Sequence, residues 1–241
     1  MELTDGYSLF FHCWPWMGLG AAITLTIIAF TTNLLRSNLS VSRWKDPTFI
    51  AWLGAIEYMF HNFEEYGVDF AGRTLEFTYM MNEMGLGAAV TEGAYLGCNI
   101  PFVWITGPVL AVLSRRYPAL CGAMPIFALV NGLSHVAQLP NVGYNPGVAT
   151  SIVLFIPLGI YTICTFYGKR KMFSWKTFWL TFGVAVVYMV CILGCIGLAN
   201  VGMLTGNVLQ FTFITLCTFG VGFLFWLVAR NAKANKPVSR D

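Results

Sequence analysis

Three residues suited to proton transfer or metal binding fall close together in the run His61-Asn62-Phe63-Glu64-Glu65, and Glu57 lies one helical turn before them. At 100° per residue, Glu57, His61, Glu64 and Glu65 stand at about 0°, 40°, 340° and 80° around a helix, a single stripe. Further along, Asn131, His135 and Gln138 recur at i, i+4 and i+7, again on one face. A carboxyl pair beside an imidazole can separate acid from base, because like-charged neighbours favour holding one proton between them. The same residue types can bind a metal. His with Glu at i+3 or i+4 puts both ligands on one helix face, and two imidazoles with one carboxylate is a set used by Zn(II) and Fe(II).

These groups are set in an apolar chain. Of 241 residues, 57% are hydrophobic and 10% charged, against about 25% charged in a soluble domain. Runs of about 20 apolar residues cross the hydrocarbon layer as helices, and the chain offers seven: 10–35, 47–66, 92–113, 118–139, 148–167, 175–199 and 207–229. The net charge of +3 comes from clusters between these runs, which suits membrane topology and leaves no basic face for nucleic acid. Arg36, Arg43 and Lys45 lie in the first connection, Arg115 and Arg116 in the third, Lys169, Arg170, Lys171 and Lys176 in the fifth, and Arg230, Lys233, Lys236 and Arg240 in the tail. The alternate connections hold Arg73 alone. The positive-inside rule then predicts an all-α bundle of seven transmembrane helices, N-terminus outside and C-terminus cytoplasmic. Residues 1–229 form one domain in this reading, followed by a mobile cytoplasmic tail, 230–241. The acidic segment Met1 to Tyr7 lacks the basic start of a secretory signal. Trp14 and Trp16 are expected to anchor the outer interface, and Trp44, Trp175 and Trp226 the inner one.

The connection at 67–91 is long for such a bundle, and its Tyr79, Met80, Met81 and Met84 suggest a short interfacial helix or lid. The hexapeptide starting at Met17 returns at Met84 and goes no further, which is too little for an internal repeat. The seven cysteines, with no CxxC pair, read as small apolar core residues.

On this topology Glu57 lies near mid-membrane, while His61 to Glu65 and Asn131 to Gln138 share the outer third. Glu92, Asn99, Asn200, Asn207 and Gln210 fall at a similar level, and His12 lies near the outer interface. Isolated amides such as Asn99, Asn131 or Gln138 are explained by interhelical hydrogen bonding, typically about 0.6 kcal/mol each. The His61–Glu64–Glu65 group costs more than such bonding returns, and intramembrane ionisable groups mark function. The expectation is a polar pocket opening outward. His61, Glu64, Glu65 and His135 are its reactive groups, and Glu57, Asn99, Asn131, Tyr144 and Gln138 contact the substrate.

The His61-Asn62-Phe63-Glu64-Glu65 run, the later His135 and the element Tyr144-Asn145-Pro146-Gly147 together resemble the three signatures of the HXXEE membrane-protein family, over about residues 48–165. The resemblance runs from the second helix through the fifth and implies a site. It implies no reaction, since the family has no generally established activity.

Four readings follow. In the first, an intramembrane enzyme uses the His/Glu cluster, without cofactor, for acid–base chemistry on a lipophilic substrate. Isomerisation, epoxide opening or cyclisation of an isoprenoid- or sterol-like lipid would suit aromatic walls of Tyr58, Phe60, Phe63, Tyr66, Trp104 and Phe127 that stabilise positive charge. In the second, His61, Glu64 or Glu65, and His135 hold Zn or non-haem Fe in a hydrolase or oxidase. The third is a proton-coupled transporter, weakened by a plain cytoplasmic half and the lack of an inverted repeat. The fourth is a receptor, suggested by topology alone. The host membrane is expected to be the plasma membrane or endoplasmic reticulum, and the partners a lipophilic small molecule and membrane lipid.

Overall fold

The computed structural model describes residues 6–85 and 90–232. The far part of the tail, 233–241, lies outside the described residues, as do the first five residues and the end of the second hexapeptide. Apolar runs in a medium without water must satisfy their backbone internally, and the chain does so with helices: α1 Leu9–Thr31, α2 Pro47–Tyr66, α3 Glu76–Glu83, α4 Glu92–Leu113, α5 Pro118–Val142, α6 Val148–Phe166, α7 Trp175–Asn200 and α8 Gly206–Asn231. Six of them, all except α2 and α3, are long and apolar enough to cross a membrane, as in a multi-pass membrane protein. The expected seventh span, α2, has 20 residues, the length of a crossing, but carries Glu57, Glu64 and Glu65.

The fold resolves that conflict by burying α2. Sixteen of its 20 residues are buried, and it packs against α1, α4, α5 and α6. The apolar surface that a membrane requires is supplied by the outer helices, whose Ile27, Val190, Leu193, Phe219 and Phe223 are exposed. Asp46 starts α2. Its carboxylate accepts from the Thr48 amide at 2.9 Å and the Ser37 amide at 2.8 Å, and Pro47 follows at the first helical position, where its missing N–H is no loss.

Glycines let α2 approach its neighbours closely. A Cβ on Gly54 would lie 2.6 Å from Pro125 Cδ and 2.9 Å from Met124 Cβ. Gly54→Ala should therefore force α2 and α5 apart and lower stability by about 1–3 kcal/mol. Thermal aggregation in detergent, followed by size-exclusion chromatography, checks this; an unchanged midpoint would mean the crossing is looser than drawn.

Three helices contain π-helical turns: Ile100–Thr106 in α4, Ser151–Phe155 in α6 and Leu216–Gly220 in α8. The one in α6 follows Thr150 and places the Phe155 ring 4.4 Å from the His61 ring. The long connection after α2 folds as the expected short helix. It is braced by Asp69, which accepts from the Ala71 and Arg73 amides at 2.9 Å and pairs with the Arg73 guanidinium; Arg73 also pairs with Glu76. Trp16, Trp44 and Trp175 are exposed, as interface anchors should be, whereas Trp14 is fully buried against Phe11, Tyr66 and Trp104. Its position one turn inside α1 did not reveal that this face meets α2 and α4. All seven cysteines are free thiols.

Candidate functional site

α2 and α5 bring His61 and His135 together, with ring centroids 4.9 Å apart. Both are buried. Glu65, one turn beyond His61 on the same helix face, sits between them: its Oε1 lies 3.4 Å from His61 Nε2 and 3.5 Å from His135 Nε2. The two helices expected to share a polar face do share one.

The third element is the start of α6, and the Tyr144–Gly147 segment builds it. Asn145 Oδ1 meets His135 Nδ1 at 2.8 Å, while its amide nitrogen donates to His135 O at 3.1 Å. The amide orientation is thus set, and His135 Nδ1 must be the donor. Gly147, at φ +91°, passes directly beside both rings; a Cβ there would stand 2.6 Å from His61 Cε1 and 2.8 Å from His135 Cε1. His61 Nδ1 meets Thr150 Oγ1 at 2.9 Å.

Glu64 does something different from its neighbour. Its carboxylate accepts from the Ala149 amide at 3.0 Å, the Thr150 amide at 2.7 Å, Thr150 Oγ1 at 2.5 Å and Tyr144 Oη at 2.8 Å. These are the orphan amides and positive dipole end of α6, so Glu64 caps that helix from α2. Thr150 has one hydroxyl proton. Donating it to Glu64 leaves an oxygen lone pair for His61, and His61 Nδ1 is then also a donor. Tyr144 is held in turn by the loop after α2: its oxygen accepts from the Phe70 amide at 3.1 Å, and its ring lies 5.6 Å from the Arg73 guanidinium. Burial first, and then the Glu64 carboxylate, keep the Tyr144 hydroxyl above its usual pKa, so it remains a donor.

No hydrogen bond joins Glu64 to Glu65 among the described residues, so a proton shared by the pair, expected from their adjacency, has no geometric basis here. With both Nδ1 atoms donating outward, two Nε2 lone pairs and the Glu65 carboxylate face one another. That arrangement is repulsive unless a cation, either a proton or a metal ion, lies among them.

A cavity of about 340 Å³ opens beside this cluster. Its polar lining includes Glu65, His135, Asn131, Ser134, Gln138 and Asn99, and its apolar walls include Phe127, Met189, Ile192 and Phe213. Phe77, Met80, Met81 and Met84, in and just after α3, close it on one side, so the helix expected as a lid lies over it. Asn131 Nδ2 is 3.2 Å from His61 Nε2 and donates to Tyr58 Oη at 2.9 Å. Asn99 donates to Tyr66 Oη at 3.1 Å and accepts from Asn62 at 2.8 Å. Both amides are therefore interhelical bonds and cavity walls at once.

Other expected contacts lie elsewhere. Glu57 is buried, lines no described cavity, and neither carboxylate oxygen has a hydrogen-bond partner among the described residues. Tyr144 supports Glu64 instead of reaching the cavity. Of the expected aromatic walls, Tyr58, Tyr66 and Phe127 line the cavity; Phe60 and Phe63 face a second, more open one of about 640 Å³ on the Glu64 side. Trp104 packs on Trp14. Glu92 takes the Ser8 amide at 2.9 Å and so ties α4 to the start of α1.

Thr150, Asn145 and Gly147 were not assigned roles from sequence. Asn145 and Gly147 had a signal, since a Pro-Gly step immediately before an apolar run marks a helix start whose amides need an acceptor. Thr150, one of three threonines in an apolar helix, had none.

Residues 52–162 match the model of the HXXEE family, described as a protein of unknown function with HXXEE motif. The match contains every residue of the cluster and of its outer supports, and agrees with the resemblance drawn from the motifs. No curated protein and no solved structure matches the chain.

Proposed function

We propose that this HXXEE-family region is the core of a membrane-embedded enzyme that converts a lipophilic small molecule, with Glu65, His61 and His135 as the groups meeting its reacting atoms. The observation that carries the reading is the combination in one place: three buried ionisable side chains converge, and two of them, Glu65 and His135, line a cavity whose walls are largely apolar. Packing alone does not call for such a cluster, because each group is costly inside a membrane, whereas enzyme sites combine apolar walls with a few convergent polar groups. Glu64 is a positioning residue in this scheme. It holds the α6 end and, through Thr150, the His61 ring. Asn131, Gln138 and Asn99 are placed to orient a polar group of the substrate, and α3 covers it. Isomerisation, epoxide opening and cyclisation remain the conversions to look for.

The bundle is proposed to cross the membrane seven times with its N-terminus outside. Arg36 and Arg43 lie beside Asp46 at the end of α2 opposite the site, and α2 has the length of a crossing, about 30 Å at 1.5 Å per residue. The plasma membrane and the endoplasmic reticulum both fit.

The test is comparative lipid-extract mass spectrometry on cells expressing the full chain or His61→Ala, Glu65→Gln or His135→Ala at matched membrane levels. Wild-type protein should generate a product pool that each substitution removes. Identical profiles for all four proteins, or flux of an unchanged molecule into sealed proteoliposomes, would overturn the enzyme reading.

A further inference from the structure

We infer that His61, Glu65 and His135 bind one divalent transition-metal ion, of the Zn(II) or Fe(II) type, through His61 Nε2, a Glu65 carboxylate oxygen and His135 Nε2. The inference deepens the enzyme reading and uses the same cluster, but it stands on coordination geometry.

The first support is spacing. The three ligand atoms lie within 4.8 Å of one another, and Glu65 Oε1 is 3.4 and 3.5 Å from the two Nε2 atoms. A tetrahedral ion with bonds of about 2.1 Å places its ligands about 3.4 Å apart. Two of the three edges already have that length.

Outer partners give the second support. A metal-bound imidazole donates its other N–H to an oxygen that fixes the ring. Both rings have such a partner: Asn145 Oδ1 at 2.8 Å for His135 and Thr150 Oγ1 at 2.9 Å for His61. Thr150 is itself fixed by Glu64. These contacts turn both Nε2 lone pairs towards Glu65, where an ion satisfies all three acceptors together.

Access completes the case. Three protein ligands leave further coordination positions for water or substrate, and Glu65 and His135 both line the cavity. Gly147 lies against both rings, where any side chain would fill the space beside them. Asn131 Nδ2 lies 3.2 Å from His61 Nε2. Coordination takes over that lone pair, and the amide keeps its bond to Tyr58. Two imidazoles and a carboxylate suit Zn(II) or Fe(II) over Mg(II) or Ca(II), which prefer oxygen ligands alone.

Full-length protein purified in detergent should carry close to one Zn or Fe per chain by elemental analysis, which also decides between the two. After chelator treatment, titration with Co(II) should produce visible absorption bands that saturate at one equivalent. His135→Ala and Glu65→Gln should lose the bands. Asn145→Ala and Thr150→Val touch no ion in this scheme, yet should weaken Co(II) binding about tenfold to hundredfold. His12→Ala, which removes the remaining histidine of the three in the chain, should bind as the parent does. If His135→Ala or Glu65→Gln fails to elute as a single species, the Asn145 and Thr150 variants decide the matter. Parent protein that takes up no Co(II), or equal binding in all four site variants, overturns the metal site. Metal-free protein that still forms product would leave the enzyme reading intact, and metal-bound protein with no product would do the reverse.

Discussion

Gly147→Ala should disable the protein. The new Cβ would stand 2.6 Å from His61 Cε1 and 2.8 Å from His135 Cε1, distances that van der Waals contact does not permit. Neither ring can simply move aside, since each is held at its Nδ1 by Thr150 or Asn145 and the two rings already touch. The backbone adds its own penalty, because φ is +91° and a side chain in left-handed conformation costs about 1–2 kcal/mol. With about 1–3 kcal/mol for overpacking, the expected loss is about 2–5 kcal/mol, together with loss of product formation and of metal uptake. Thermal stability in detergent and product yield are the measurements. An alanine variant with parental stability and turnover would show that the α6 start does not press on the two histidines as described.

The second large effect separates two adjacent carboxylates. Glu65→Gln retains size and shape but removes the anionic oxygen that lies between the two Nε2 atoms. Turnover should fall by about 10²–10⁴, the usual loss when a group acting on the reacting atoms is removed, while folding is largely preserved. Glu64→Gln should act through structure. The carboxylate accepts four hydrogen bonds, and an amide nitrogen in place of one oxygen would point a donor at the Thr150 or Ala149 donors. Hydrogen bonds to a charged acceptor contribute about 1.5–3 kcal/mol each, so the Glu64 variant should lose stability of at least that order. The comparison is made on membrane-extracted protein, scoring yield, melting and product together. Equal loss of stability in both variants, or equal loss of turnover per folded molecule, would refute the division of roles.

That division was beyond the reach of periodicity. Glu64 and Glu65 are about 100° apart on α2, and both fall on the stripe that must avoid lipid. Which of them lies between the two histidines depends on where the N-terminus of α6 packs, and that position is set by contacts of α6 with the neighbouring α5 and, across more than 80 residues, with α2. The same holds for Glu57, on the right stripe but away from the cavity, and for Trp14, placed by depth yet buried by the approach of α1 to α2 and α4. In α2 the helix length was legible and its apolarity was not, since burial by other helices replaces the lipid contact that hydropathy measures.

What the amino-acid order determined by itself was local. Apolar runs of sufficient length became helices close to the expected bounds, because a chain surrounded by hydrocarbon has few other ways to pair its amides. The i, i+4 spacing put His61 with Glu65 on one face, and the facing of His135 followed from amphipathic placement on a second helix. The tertiary structure alone decided that Glu64 serves as a helix cap, that Asn145 and Thr150 orient the imidazoles, and that Gly147 makes room for both. Those roles rest on interatomic distances of about 3 Å between segments remote in sequence, and helix periodicity carries no information at that scale.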